Sequence, residues 1–117
     1  MEERTPRRGD LWWLERDEKK DRVVVILSPD VMNRNSERCI VGLCTTKHMG
    51  TIYESEVDLS SLETPKPCKL QCDQVHTVLQ SRLRDYVTEF TSDLIGEMNQ
   101  AICAGLGVPL YFDELEF

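Results

Sequence analysis

No stretch of this 117-residue sequence approaches the ~18 consecutive apolar residues that a membrane-spanning helix needs, so no bilayer span is expected. Met1 to Gly9 is charged and has no apolar segment of the secretory-leader kind, which points to the cytoplasm. The C-x-x-C spacing of zinc and redox sites is missing and only two histidines are present, so no metal or other cofactor is called for. The five cysteines (Cys39, Cys44, Cys68, Cys72 and Cys103) are an odd number placed mostly in apolar patterns. In a reducing compartment they read as small buried hydrophobes. Lysine and arginine stop at Arg84: residues 85–117 hold seven acids and no base, while residues 1–84 hold 14 of each. The net charge of −7 therefore belongs to the C-terminal part. It leaves room for a local basic site elsewhere but weakens long-range steering toward a polyanion.

What is present suits one domain over residues 1–117, with a core over about 7–107 and an acidic tail at 108–117. A chain of this size buries roughly two-thirds of its unfolded surface, enough for a core without metal or disulfide support. There are no repeats and no low-complexity segments. Arg7-Arg8-Gly9-Asp10 reads as a turn into a short strand at 11–15, with Trp12 and Trp13 on opposite faces. A fully charged loop, 16–21, leads to the apolar run 23–27, whose lack of alternation predicts burial on both faces. Ser28-Pro29-Asp30 ends that run, 31–37 reads as a polar loop, and 39–45 is a second continuous strand.

After a polar segment, 46–53, residues 55–59 alternate and read as an exposed strand. Pro65 and Pro67 mark the following segment as a loop. Cys68, Leu70 and Cys72 then alternate with Lys69, Gln71 and Asp73, which places the latter three on a polar face. Residues 74–78 continue or pair with that strand, 80–84 make one helical turn, and 86–90 form a last strand. Thr91 or Ser92 caps the one clear helix, 93–104, whose Leu94, Ile95, Met98 and Ile102 share a face; Gly105 and Gly107 end it. Many short strands before a single terminal helix predict a mainly β fold with a C-terminal α-helix, an SH3-like antiparallel barrel.

Chemistry concentrates at two strand ends. Arg22 opens the run at 23–27 and Thr45 closes the run at 39–45. A guanidinium beside a hydroxyl donor suits a phosphate, because arginine offers paired donors and stays charged at any working pH. The competing reading of Arg22 is a surface ion pair with Asp10 or Asp21. The plain reading of Asp73 is a turn cap, and that of His76 a solvated strand residue.

The order of these segments resembles the MazF/PemK toxin family, the endoribonuclease halves of bacterial toxin–antitoxin pairs. The resemblance runs from residue 7 to about 107 through RRGDLWWLE, DRVVVILSPDVMNR, CIVGLCTT and LQCDQVHTVLQSRL. It implies a homodimer that cuts single-stranded RNA without metal, leaving a 2′,3′-cyclic phosphate, and that is held in check by a cognate antitoxin. On it, Arg22, Thr45 and Asp73 are the catalytic residues, and Gln74, His76, Thr46 and Lys47 contact RNA. Two positions depart from the family pattern: Val23 stands where a proline usually follows the arginine, and RDEKKD replaces a longer Gly-containing first loop. The short loop implies altered RNA selectivity and weakened activity. Two alternatives remain. A CcdB-like gyrase-binding toxin shares the barrel but lacks the Arg/Thr pair, and a catalytically degenerate member would act as an RNA- or protein-binding module.

Overall fold

The computed structural model describes residues 4–109. The strands are β1 (Asp10–Leu14), β2 (Arg22–Ile26), β3 (Arg38–Thr45), β4 (Glu56–Asp58), β5 (Lys69–Leu79) and β6 (Leu83–Glu89), with helices α1 (Asp30–Asn35) and α2 (Ser92–Leu106). One six-stranded sheet has the order β4-β5-β3-β2-β1-β6, and every pairing in it is antiparallel. The mainly β reading with a C-terminal helix holds. The acidic segment 110–117 lies outside the described residues.

The unalternating run in β2 has the meaning its composition implied. Val24, Val25 and Ile26 are all fully buried, and the pleat sends them to two different cores. Val25 joins Leu11, Leu70, Met98 and their neighbours under α2, whereas Val24 and Ile26 join Trp12, Leu14, Cys39 and Val41 on the other face. Helix α2 covers the first core through Leu94, Met98 and Ala101. Its ends follow the sequence: Thr91 accepts from the Leu94 amide, and Gly107 closes the helix with φ +72°.

Four expectations need correction. Residues 31–37 are not a loop throughout, because Asp30–Asn35 forms a short helix. Fewer than two turns carry no apolar periodicity, and the helix is held instead by a buried Asn33 that bonds Ser28. The strand expected to be exposed at 55–59 buries Val57 and Leu59. Gly105 does not end α2 but lies inside it, where a Cβ would come within 2.6 Å of the Cys72 carbonyl oxygen. Lys69, expected on a polar face, is only 2% exposed.

The Arg-Gly-Asp opening is structural. Gly9 adopts φ +90°, and a Cβ there would meet Ile95 at 2.6 Å. Asp10 is buried and accepts from the Arg7 amide at 2.9 Å, from Arg4 and from the Trp12 indole. Every oxygen of this carboxylate is therefore matched, and none is left for Arg22.

Candidate active site

Arg22 is the first residue of β2, and its side chain reaches across β3. Its Nε donates to the Cys44 carbonyl oxygen at 2.8 Å, and one Nη reaches Gln71 Oε1 at 3.4 Å. The register makes this possible, since Leu43 of β3 pairs with Val24 on one side and Gln71 on the other. Burial and the nearby Arg16 pull the Arg22 pKa below its ordinary value. Among the described residues no carboxylate forms an ion pair with Arg22; Asp10 is taken by Arg4, and Asp21 pairs with no cation. A half-buried guanidinium is thus aimed by two neutral acceptors, with most of its N–H groups unused.

Arg22 stands on the wall shared by two clefts. The first, of about 750 Å³, contains Thr45, Thr46 and Lys47 from the end of β3, Arg16 and Lys20 from the β1–β2 loop, and Lys66 from the loop before β5. Asp21 is its one acid, so this cleft supplies the local basic site that the charge distribution allowed. Thr45 Oγ1 accepts from the Lys47 amide at 3.1 Å, which fixes the hydroxyl oxygen and leaves its O–H free to donate outward. The second cleft, of about 1040 Å³, contains Gln74 and His76 of β5 together with Arg38 and Arg82.

The structure therefore gathers Arg22, Thr45, Thr46 and Lys47 on one side, and Gln74 and His76 around the same arginine on the other. Asp73 is the exception. The β3–β5 ladder passes from Gly42↔Val75 to Leu43↔Gln71, leaving Cys72, Asp73 and Gln74 unmatched. Asp73 is exposed on this irregularity and lines neither cleft.

Sequence reasoning overlooked Arg16, which reaches both clefts, and Gln71, which orients Arg22. Gln71 carried a faint signal as an amide among strand residues, but only the three-strand register shows what it faces. Also overlooked was the thiol pair that closes the first cleft. The neighbouring Cys44 thiol and, less strongly, the Thr64 hydroxyl favour the Cys68 thiolate against the cost of burial and bring that thiol down to about 7. The same contact and burial push Cys44 well up. Cys39 and Cys72, which are simply desolvated, are raised to about 11 and about 12.

Comparison with known proteins adds independent findings. Residues 7–106 match the family described as PemK-like, MazF-like toxin of type II toxin–antitoxin system. The chain is 34% identical over 73 residues to the probable endoribonuclease MazF5 of Mycobacterium tuberculosis, covering 62% of this chain and 67% of the relative. With the probable endoribonuclease MazF2 of Mycobacterium tuberculosis it shares 28% identity over 102 residues, 86% of this chain and 98% of the relative. A solved mycobacterial endoribonuclease in complex with its cognate antitoxin superimposes with a TM-score of 0.79 at 22% identity, over 91% of this chain and 99% of that one. At that identity the likeness supports the fold alone.

Proposed function

The chain belongs to the PemK-like, MazF-like toxin family of type II toxin–antitoxin systems, and from that premise we propose that it is an endoribonuclease whose Arg22 stabilises the reacting phosphate. The reading rests on one observation above all: Arg22 is partly desolvated, has no carboxylate partner among the described residues, and is oriented toward open clefts. Such a cation gains most from an anion supplied by a substrate.

In this mechanism the ribose 2′-hydroxyl attacks the adjacent phosphorus. The P–O5′ bond breaks, leaving a 2′,3′-cyclic phosphate and a 5′-hydroxyl. Arg22 faces the charge that builds on the phosphoryl oxygens, and the Thr45 hydroxyl donates a further hydrogen bond. His76 accepts the 2′-hydroxyl proton, a role that passes from Asp73 because His76, and not Asp73, shares a cleft with Arg22. Gln74, Thr46 and Lys47 hold the flanking nucleotides. The expected partners are single-stranded RNA and a cognate antitoxin, with a second copy of the chain completing a homodimer. The protein is assigned to the cytoplasm; among the described residues no helix is long and apolar enough to cross a membrane.

The deciding experiment is cleavage of a long RNA by the pure protein in EDTA, with end-group analysis. Cutting that yields cyclic phosphate, and that disappears in Arg22→Ala and Thr45→Ala while the fold is retained, supports the assignment. A folded wild-type protein that cuts no RNA across varied sequences returns the binding-module and gyrase-binding readings.

A further inference from the structure

Lys69 has an environment that the mechanism above does not use. It opens β5, pairs with Thr45 across the β3–β5 ladder and with Asp58 across β4–β5, and is almost completely buried. Its ammonium makes three hydrogen bonds: to Glu56 Oε1 at 2.9 Å, to the Thr51 carbonyl oxygen at 2.9 Å and to the His48 carbonyl oxygen at 3.0 Å. The Glu56 side chain is only 6% exposed, and its Oε1 also accepts from the Tyr53 amide at 3.0 Å. All three donors of the ammonium are thus assigned within one segment, 48–56.

That segment continues directly from Thr45, Thr46 and Lys47, which form a wall of the first cleft. It also contains a backbone conformation that needs support. His48 has φ +57°, a left-handed geometry that a residue with a Cβ adopts reluctantly, and it is the one non-glycine residue with positive φ among those described. The carbonyl of this same residue is one of the two that Lys69 holds. Burial alone would raise the Glu56 pKa, but the Tyr53 amide and Lys69 bring it below its ordinary value, so the carboxylate stays charged against the ammonium.

Resting on the nuclease reading, we propose that Lys69 is a positioning residue of the active site: with Glu56 as its counter-ion, it ties down the 46–51 turn and thereby sets where the Thr45 hydroxyl and Lys47 stand against the scissile phosphate. Lys69 touches no substrate. It acts through two backbone carbonyls, so its loss misplaces the reacting groups while leaving the RNA-binding surface charged. Small misplacements of reacting groups weigh heavily on turnover.

The test must separate positioning from simple support of the fold. Lys69→Met combined with Glu56→Leu removes the charge pair as a unit, and replacing a buried pair by apolar residues of similar size is commonly neutral for stability. The double variant is compared with wild type in thermal unfolding, in kcat and KM on an RNA substrate, and in amide hydrogen exchange of residues 46–51. The expected result is a Tm within about 5 °C of wild type, a kcat lower by about tenfold or more, a KM changed far less than kcat, and faster exchange confined to the turn. A double variant with wild-type kcat and wild-type exchange overturns the proposal and leaves Lys69 as core filling. If that variant proves unfolded, Glu56→Gln, which keeps the side-chain shape, carries the same readouts and the same criteria. Failure of the nuclease reading looks different, because wild type itself then cuts no RNA, and the positioning role given to Lys69 falls with it.

Discussion

Lys69 and Arg22 each open a strand of the same sheet, and the fold treats them in opposite ways. Lys69 is buried, its three N–H donors are all taken, and a carboxylate balances its charge. Arg22 is half-buried, its named acceptors are a carbonyl and an amide, and no carboxylate among the described residues pairs with it. A saturated buried cation makes structure, whereas an unsaturated cation at a cleft keeps its capacity for a ligand. In the Arg4–Asp10 pair it is the carboxylate that is buried and fully matched, which is why Asp10 of the Arg-Gly-Asp opening serves the sheet and not a ligand.

The contrast is broken most directly by removing each cation. Lys69→Ala leaves Glu56 buried without its counter-ion, with an expected loss of about 3–5 kcal/mol of unfolding free energy at neutral pH, read by urea denaturation. The pH dependence has a definite sign. In wild type the Tyr53 amide and Lys69 hold the folded Glu56 pKa below its ordinary value, so its contribution is present above the ordinary carboxyl range and is lost as pH falls through the folded value. In the variant the unpaired buried carboxyl is destabilising when ionised, so the gap to wild type narrows on acidification. Arg22→Ala is expected to do the reverse: RNA cleavage falls by about 10²–10³-fold, while thermal unfolding stays unchanged or rises because a desolvated charge has gone. Arg22→Lys recovers little, since an ammonium lacks the planar fork. Unfolding of Arg22→Ala as severe as that of Lys69→Ala erases the division.

Smaller effects sharpen it. Thr45→Val removes one donor to a charged group and is expected to slow cleavage by about tenfold or more, with Thr45→Ser retaining most of the rate. Cys68 is buried like Cys39 and Cys72, but its thiol is the one held down, so it is expected to alkylate faster than those two and to gain rate as pH rises. Mass mapping after brief iodoacetamide treatment reads this, and preferential labelling of Cys72 contradicts it. Asp73→Asn should alter cleavage by no more than about twofold, as for an exposed residue with no special contact. A loss approaching that of Arg22→Ala restores Asp73 to the catalytic group.

Legibility differed by the kind of signal. The strand at 22–26 and the helix at 92–106 were readable because an apolar run and a 3.6-residue period leave marks in composition. Arg22 and Thr45 were readable because a polar residue bounding an apolar strand has few places to go. Helix α1 was hidden by its length, since six residues express no period. Lys69 was misread because alternation assigns it to a polar face, and nothing local announces that Glu56 will arrive from β4 to neutralise it. Alternation placed Asp73 on a polar face, and it is exposed; what alternation does not carry is the irregularity of the β3–β5 ladder at 72–74, on which Asp73 sits.

Local patterning by itself determined the mainly β architecture, the single capped terminal helix, the two-sided burial of β2 and the placing of a cation and a hydroxyl at strand ends, because each follows from side-chain period and backbone preference over a few neighbours. Tertiary pairing alone decided which charges are matched. Whether a lysine meets a glutamate, whether an arginine meets none, and which carbonyls aim them are set by strand register between residues 13 to 49 positions apart, and electrostatic partnership depends on distance in space and not along the chain.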